Sequence, residues 1–233
     1  MLQTAYFEDP KLMNILMKFI KSDSVVAIGT GALGEMFLQE LINKVKSKHL
    51  NVEVVPTSYK FASMLNASNV PIASINEKEI DLAIEFADSI DNQFNYIKRD
   101  STSLVRDKMI AMSALEEIVV VEKEKYGKLD RIIPMEAVDF GLQKTLIHLE
   151  SLGEVQLRMK GKNAVRTETD NYLIDVKVDK VYSLDDIETE SKKIPGVIET
   201  GLFLGYCDRV ILRSNEGYEI KSRIQEEEPS KKL

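Results

Sequence analysis

Apolar positions in the first part of the chain follow two spacings, one typical of helices and one of buried strands. Asp9 before Pro10 predicts a helix start, because Asp is a favoured N-cap and Pro suits the first helical position. The next apolar residues recur at helical spacing, at Leu12, Ile15, Leu16, Phe19 and Ile20. The continuous apolar run Val25–Ile28 then predicts a buried strand. A helix is therefore expected before the first strand.

Strands and helices are predicted to alternate after this point. Further strands are predicted at Val52–Val55, Ile80–Phe86 and Ile118–Val121. Helices are predicted after Gly34 and over Phe61–Leu65 and Leu104–Leu115. The stretch Val70–Ile75 is more weakly apolar, and a polar loop that contains Lys98 precedes the last of these helices. Strands that alternate with helices predict an open parallel sheet of the α/β class.

The pattern changes beyond Pro134 and predicts a second, smaller unit. Its helices are predicted over Val138–Leu152 and from Ser183 onward. Its strands are predicted near Val155–Met159, Ala164–Thr167, Tyr172–Val178 and Val197–Phe203. This order is typical of a small α+β sandwich of the ferredoxin-like kind. The apolar run Val210–Leu212 is expected to return to the first sheet, so the small unit is interpreted as an insertion.

The predicted domains are thus a Rossmann-like domain over residues 1–131 and 204–233, and a small α+β domain over 132–203. The last residues, Gln225 to Leu233, are strongly charged and are expected to fray. In open parallel sheets, ligands bind beyond the carboxyl ends of the strands. The turns at Gly29, Thr57, Glu85 and Glu122 are therefore expected around one crevice.

The first of these turns has the glycine spacing of a nucleotide-binding loop. Gly29, Gly31 and Gly34 satisfy G-x-G-x-x-G, in which backbone amides at a helix N-terminus receive a phosphate group. A dinucleotide site also needs an acidic residue at the end of the second strand. Glu53 lies inside that strand, which ends instead in a turn with two hydroxyls. A small anionic ligand is therefore favoured over NAD, and a purely structural tight turn is the simplest alternative.

Composition narrows the class of protein. The chain has 233 residues, a formal net charge of −7 and 44% hydrophobic residues, as expected for a globular protein. Its acidity argues against a nucleic-acid groove, which needs a clustered basic surface. Neither a membrane-length apolar run nor a signal peptide is recognisable, so a cytoplasmic location is expected. The single Cys207 excludes an internal disulfide framework, and the distant His49 and His148 make a zinc site improbable.

Several short motifs, in this order, resemble one enzyme family. They are Gly29-Thr30-Gly31, Pro56-Thr57-Ser58, "IDLAIEFADSID" (Ile80–Asp91), Ile97-Lys98, "LVRDKMIA" (Leu104–Ala111), Lys125, Thr169-Asp170-Asn171 and "IPGVIETGLF" (Ile194–Phe203). Together they cover nearly the whole chain and resemble type A ribose-5-phosphate isomerase. The resemblance implies a Rossmann-like domain with a smaller inserted domain, a homodimer or homotetramer, and no cofactor. It also implies an aldose–ketose isomerisation of the pentose phosphate pathway, between D-ribose 5-phosphate and D-ribulose 5-phosphate.

This chemistry accounts for the residue types in the motifs. Moving a proton between adjacent sugar carbons through an enediolate needs a carboxylate base, a polar group at the oxyanion and anchors for the phosphate. By the resemblance, the catalytic residues are Asp107, Glu85, Asp88 and Lys98. The substrate-binding residues are Gly29, Thr30, Gly31, Thr57, Ser58, Ser101 and Lys125.

The chain departs from the family pattern at three places. Glu85 and Phe86 replace the first aspartate and the glycine of D-G-A-D, and Arg99-Asp100-Ser101-Thr102-Ser103 replaces a glycine run. Asp107 stands where the family has the glutamate base of T-R-E-K. Two interpretations follow: a compensating exchange, in which Glu85 advances as Asp107 retreats, or a protein that binds or senses sugar phosphates without efficient turnover. A relative that acts on another phosphorylated sugar or on a thioester is a third alternative.

Overall fold

The computed structural model describes residues 9–179 and 181–224. The helices are α1 (Pro10–Met17), α2 (Ala32–Lys46), α3 (Tyr59–Ser68), α4 (Leu104–Ser113), α5 (Leu142–Leu149) and α6 (Leu184–Lys193). The strands up to the second half of the chain are β1 (Ser24–Ile28), β2 (Val52–Val55), β3 (Leu82–Phe86), β4 (Ser89–Ile90), β5 (Tyr96–Ile97), β6 (Glu117–Glu122) and β7 (Ile132–Ala137). The others are β8 (Gly153–Leu157), β9 (Met159–Lys160), β10 (Asn163–Ala164), β11 (Tyr172–Val178), β12 (Val197–Thr200), β13 (Leu202–Phe203), β14 (Arg209–Ser214) and β15 (Gly217–Ser222).

The main sheet has six strands in the order β15-β14-β6-β3-β1-β2. All neighbouring pairs are parallel except β14 and β15, which form an antiparallel hairpin at one edge. Every residue of β1 is buried, as a continuous Val/Ile-rich strand requires when helices cover both faces of a parallel sheet. Residues of α1, α2 and α3 join one face of this sheet in the largest hydrophobic cluster. The predicted Rossmann-like parallel sheet is confirmed.

The second sheet is antiparallel, with the order β12-β7-β11-β8. Its elements follow one another as β7-α5-β8-β11-α6-β12, the ferredoxin-like sequence of strands and helices. Residues from α5 and α6, such as Leu149 and Ile187, are fully buried in one cluster with strand residues. These elements lie between Ile132 and Thr200. The division of the chain into domains at 131/132 and 203/204 stays a prediction.

A small antiparallel sheet, in the order β13-β5-β4, joins the two larger ones. The Tyr96 ring of β5 stacks on the Phe203 ring of β13, with their centroids 4.5 Å apart. The backbone N–H of Lys98 donates to the carbonyl of Gly201, 2.9 Å away. The segment that carries Lys98, predicted as a polar loop, is therefore held between the main sheet and the inserted one.

Several predicted elements need correction in the second half of the chain. The expected helix Val138–Leu152 is shorter, and strand β7 around Pro134 was not predicted. The expected strand Val197–Phe203 is divided at Gly201, whose N–H donates to the Pro134 carbonyl. The hairpin strand β15 was also missed. The stretch Val70–Ile75 contributes a single bridge, between Ile72 and Val54, and Gln225 to Leu233 lie outside the described residues.

Candidate active site

The carboxyl ends of β1, β3 and β6 meet around a cavity of about 130 Å³. Its lining comes from the turns after these strands and from the segment before α4, and consists of Thr30, Gly31, Ala32, Leu33, Phe86, Ala87, Asp88, Asp100, Val120, Val121 and Glu122. Three of the four turns expected around one crevice are thus brought together. A larger groove of about 750 Å³ beside α1 and α2 contains no residue predicted for the site.

The turn between β1 and α2 brings the backbone close to the Glu85 carboxylate. A Cβ atom on Gly29 would overlap that carboxylate, so the close approach requires glycine. Gly31 has φ +112° and is the N-cap of α2, where no side chain caps the helix. Thr30 is 5% exposed, and its hydroxyl has no hydrogen-bond partner within the described part of the chain. This arrangement is suited to an anion at the start of α2.

Three charged side chains lie together behind the crevice. The Lys98 ammonium contacts Glu85 Oε2 at 2.6 Å and Asp107 Oδ2 at 3.1 Å. The side chain of Lys98 is fully buried, and those of Glu85 and Asp107 are 8% and 1% exposed. They come from β3, the segment after β5, and the first turn of α4. One cation thus bridges two carboxylates in a site largely screened from water.

Burial and charge set the protonation of this cluster. Burial raises the pKa of Glu85 to about 7, against the opposing attraction of Lys98, and Asp107 adds a further increase by repulsion. Burial alone would lower the pKa of Lys98, but the two neighbouring carboxylates raise it. Lys98 is therefore charged, and the cluster can take up one proton near neutral pH.

The serines before α4 orient Asp107. The Ser103 hydroxyl caps α4 by accepting from the N–H of Arg106, which places Asp107 in the first turn. The Ser101 hydroxyl donates to Asp107 Oδ2, 2.5 Å away. The second oxygen, Oδ1, is buried and lacks a hydrogen-bond partner among the described residues. One oxygen of Asp107 is thus held by Ser101, and the other is buried with no hydrogen bond to any of the described residues.

Asp88 anchors the segment that covers the cluster. Its Oδ2 accepts from the backbone N–H of Arg99, 2.6 Å away, and the Arg99 carbonyl accepts from the Arg158 guanidinium of the inserted sheet. Asp88 also lines the cavity, together with Asp100. The segment from Arg99 to Ser101 therefore lies between the crevice and Asp107.

Three other predicted binding residues lie outside the lining of the crevice. The Thr57 hydroxyl donates to the Ile28 carbonyl at 2.7 Å, one residue before the glycine turn. The Ser58 hydroxyl caps α3 by accepting from the N–H of Phe61. Lys125, on a 3₁₀ turn after β6, is largely exposed and lies 3.6 Å from Asp130. Neither Thr57, Ser58 nor Lys125 lines the crevice.

A family model supplies the identity that this geometry leaves open. The model for ribose 5-phosphate isomerase A (phosphoriboisomerase A) matches residues 53–217. The chain belongs to the ribose 5-phosphate isomerase A family. A ribose-5-phosphate isomerase A from Streptococcus pneumoniae is 30% identical over 211 residues, which cover 88% of this chain and 92% of the relative.

Solved structures of this family share the fold. A D-ribose-5-phosphate isomerase in complex with phospho-erythronic acid is 31% identical, with a TM-score of 0.83 over 91% of this chain and 96% of the other. The ribose 5-phosphate isomerase A from Methanocaldococcus jannaschii is 25% identical, with a TM-score of 0.83 over 91% and 97% of the two chains. The family resemblance and the fold predicted from the sequence are confirmed, whereas the roles of single residues stay predictions.

Two buried carboxylates near the candidate site were not predicted from the sequence. Glu136 of β7 is fully buried beneath the start of α4. Glu117 of β6 is 2% exposed and accepts from the Tyr96 hydroxyl at 2.9 Å. The signal that could have found them is an acidic residue within an otherwise apolar strand. Within residues 9–179 and 181–224, no group of three or more His, Cys, Asp or Glu side chains is placed to hold a metal ion. In the same ranges, no helix combines the length and apolar character needed to cross a membrane.

Proposed function

We propose that this protein interconverts D-ribose 5-phosphate and D-ribulose 5-phosphate by proton transfer through an enediolate. The observation that carries the proposal is the Lys98 ammonium between the carboxylates of Glu85 and Asp107, at the carboxyl ends of the parallel strands. Membership of the ribose 5-phosphate isomerase A family supports the substrate class. The complex of a relative with phospho-erythronic acid supports a phosphorylated ligand.

The phosphate end of the sugar binds at the turn before α2. The donors for phosphate oxygens are backbone amides at the start of this helix and the hydroxyl of Thr30, which forms no hydrogen bond with the described residues. Two residues of the adjacent turn support this loop. The Thr57 hydroxyl donates to the Ile28 carbonyl, and the Ser58 hydroxyl caps α3. Lys125 reaches the phosphate only if its exposed side chain leaves Asp130.

Asp107 is the base in this proposal. Among residues 9–179 and 181–224, its Oδ1 has no hydrogen-bond partner, whereas the two oxygens of Glu85 contact the Phe86 N–H and the Lys98 ammonium. Oδ1 removes the proton from C2 of the open-chain aldose, and the electron pair of that C–H bond forms the C1–C2 double bond as negative charge moves to O1. Protonation of O1, loss of the O2 proton and return of the carboxyl proton to C1 complete the ketose.

The remaining charged residues stabilise this transfer. The Lys98 ammonium is the nearest cation to Asp107 in the site and neutralises charge that develops on the sugar oxygens. Glu85 holds the ammonium in place and, with a pKa of about 7, limits the net negative charge beside the enediolate. Asp88 lines the crevice and orients a sugar hydroxyl.

The alternative is a protein that binds sugar phosphates without efficient turnover. The observation that favours it is the cover over the cluster, since Arg99 to Ser101 separate Asp107 from a cavity of about 130 Å³. In this alternative the segment remains in place when the sugar binds, and the base does not reach C2.

Direct assay of the reaction distinguishes these functions. We expect ribose 5-phosphate to be converted by the wild-type protein, and Asp107→Asn to lower kcat by about 10²–10⁴-fold, the usual size of a lost general base. The control is Asp185→Asn, which changes charge equally at the start of α6. Tight binding of ribose 5-phosphate by calorimetry, with no turnover, would establish the alternative. If the protein shows no turnover and no binding of ribose 5-phosphate, both functions are refuted. A thermal-shift screen of other sugar phosphates and thioesters is then the next experiment.

We propose in addition a cytoplasmic homodimer or homotetramer. The side chains of Met109, Met112 and Leu115, on or just after α4, are 51%, 76% and 65% exposed, which supports a self-association surface there. Sedimentation velocity should give a dimer or tetramer, and Met112→Asp should weaken it. A monomer at micromolar concentration would refute the oligomer, and fractionation of the source cells tests the location.

A further inference from the structure

Glu136 is a charged residue in a place where charge is costly. It is the residue before the last in β7, lies between two hydrogen-bonded neighbouring strands, and is 0% exposed. An isolated carboxylate buried in this way would be strongly destabilising. The protein retains it because both of its oxygens accept hydrogen bonds.

The two oxygens of Glu136 are directed at two different segments. Oε1 accepts from Thr167 Oγ1 at 2.8 Å, Thr169 Oγ1 at 2.5 Å and Asn171 Nδ2 at 2.9 Å. Oε2 accepts from the Val105 N–H at 3.2 Å and the Ser103 hydroxyl at 3.4 Å. The first set belongs to the loop 165–171 of the inserted sheet, and the second to the start of α4. Glu136 thus connects this loop to the helix that carries Asp107.

Further bonds hold the same loop on the same helix. The N–H of Glu168 donates to the Thr102 carbonyl at 2.8 Å, and the Glu168 carboxylate lies 2.6 Å from the Arg106 guanidinium. The N–H of Asp107 donates to the Ser103 carbonyl at 3.1 Å. A shift of the Ser103–Val105 backbone would therefore move Asp107.

The donor set requires the ionised form of Glu136. All five partners donate, and a carboxylate is an acceptor with about four lone-pair positions. Burial would raise the pKa of Glu136, but the hydrogen bonds from Thr169, Asn171 and Thr167 outweigh it and lower that pKa. A glutamine of the same shape would direct its NH₂ group at other donors. The pocket therefore distinguishes Glu from Gln although the two have almost the same volume.

We propose that Glu136 is a positioning residue for proton transfer: its carboxylate fixes the first turn of α4 against loop 165–171, and thereby fixes Asp107 beside Lys98. This inference rests on the proposed isomerase function. Loss of this anchor should affect the chemical step and leave substrate binding unchanged, because the phosphate end is proposed to bind elsewhere, at the turn before α2. Loss of the anchor should lower kcat while leaving KM nearly unchanged.

The test compares Glu136→Gln with Glu154→Gln, which changes a 77% exposed glutamate on β8, the edge strand of the same sheet. We expect Glu136→Gln to lower kcat about 10–100-fold, the effect of misplacing a catalytic group by about 1 Å, with KM within about threefold of wild type. The control should retain both constants. Thr169→Val, which removes one donor and keeps the charge, should lower kcat by a smaller factor.

A double variant separates positioning from general loss of structure. In an Asp107→Asn background, Glu136→Gln should have little further effect on the residual kcat, because the group it positions is already removed. A full additional 10–100-fold loss there, or an unchanged kcat in the single variant, would overturn the proposal.

A measurement independent of turnover covers the case in which the isomerase proposal itself fails. Amide hydrogen exchange of residues 104–107 should be faster in Glu136→Gln than in wild type, whereas α2 should exchange at the same rate. Equal exchange over 104–107 would overturn the anchoring role whether or not ribose 5-phosphate is a substrate. If Glu136→Gln does not fold, the Thr169→Val variant gives the same comparison.

Discussion

Lys98 carries the charge on which the candidate site depends. Its ammonium lies 2.6 Å from the longer carboxylate side chain, Glu85, and 3.1 Å from the shorter one, Asp107. Relative to the family pattern, each acid differs by one methylene, in opposite directions. Both acids reach the same nitrogen, as a compensating exchange requires, and this exchange stays a prediction beside binding without efficient turnover.

This exchange can be tested by reversing it. We expect Glu85→Asp and Asp107→Glu each to lower kcat by about tenfold or more, because each breaks the fit around Lys98. The double variant should recover most of that loss. Steady-state kinetics of the four proteins provides the measurement. Losses that multiply in the double variant would show that the two acids act independently.

Glu117 gives the stability of the protein a predicted pH dependence. Burial raises its pKa to about 8, against the hydrogen bond from Tyr96, while the unfolded chain titrates near 4.5. The folded state therefore binds this proton more tightly, and the stabilisation is complete below about pH 4.5 and is lost as pH rises through about 8. The free energy of unfolding of Glu117→Gln, taken relative to that of wild type, should thus increase from pH 5 to pH 9 by on the order of 3 kcal/mol.

Urea unfolding at pH 5 and at pH 9 measures this difference in unfolding free energy between the variant and wild type. Glu154→Gln, on an exposed surface, is the control and should shift equally at pH 5 and pH 9. A Glu117→Gln variant whose advantage does not grow with pH would show that Glu117 is ionised in the folded protein.

The candidate site residues were predictable to different degrees. Glu85, Lys98 and Asp107 were predicted because each stands in a motif that carries the family resemblance, and the structure brings the three side chains together. Glu136 lies within β7 and Glu117 begins β6, and the sequence alone gives no sign of the loop or the tyrosine whose hydroxyls bind these carboxylates. Lys125 lies at the surface near Asp130, and its predicted role at the phosphate stays a prediction.

At the scale of elements, prediction succeeded where local signals coincide. The Asp9 cap and Pro10 mark the start of α1, and Val52–Val55 forms β2 as predicted. Strand β7 was missed because Pro134 lies in its interior, where proline is unfavourable. That strand tolerates the proline, whose carbonyl accepts from Gly201, and Gly201 in turn separates β12 from β13. Such partners, distant in sequence, cannot be read from local periodicity.

The connection from β1 to α2 makes a further prediction at this scale. In Gly29→Ala the added methyl would overlap the Glu85 carboxylate, so Glu85 must leave Lys98. We expect kcat to fall about 100-fold. A shorter acid relieves the overlap. Gly29→Ala should therefore lower kcat much less in the Glu85→Asp variant than in wild type.

The control for this variant is Gly205→Ala, where an added methyl would have no atom of the described residues within 4 Å. Its backbone has φ +78°, so we expect a loss of about 1 kcal/mol in stability but an unchanged kcat. Equal activity of Gly29→Ala and wild type would show that the approach of Glu85 to the turn is not needed for turnover.

At the scale of the whole molecule, a negatively charged protein is proposed to bind a negatively charged substrate. The formal net charge is −7, and the crevice between the turns is itself lined by Asp88, Asp100 and Glu122. Two of these acids have basic neighbours or backbone donors: Glu122 pairs with Arg213, and Asp88 accepts from the N–H of Arg99. Asp100 is exposed, and its carboxylate lies 3.5 Å from where a Cβ of Gly31 would be, beside the N-terminus of α2.

Asp100 therefore occupies the vicinity in which the phosphate is proposed to bind, and it should weaken that binding. Two like charges about 5 Å apart in water repel by roughly 0.8 kcal/mol, so Asp100→Asn should lower KM for ribose 5-phosphate by about fourfold. Asp185→Asn makes the same change in net charge on α6 and should leave KM unchanged. Since salt screens this repulsion, the difference between the two variants should shrink as ionic strength rises. If both variants lower KM equally, overall charge controls binding; if Asp100→Asn raises KM, Asp100 binds the sugar and does not repel its phosphate.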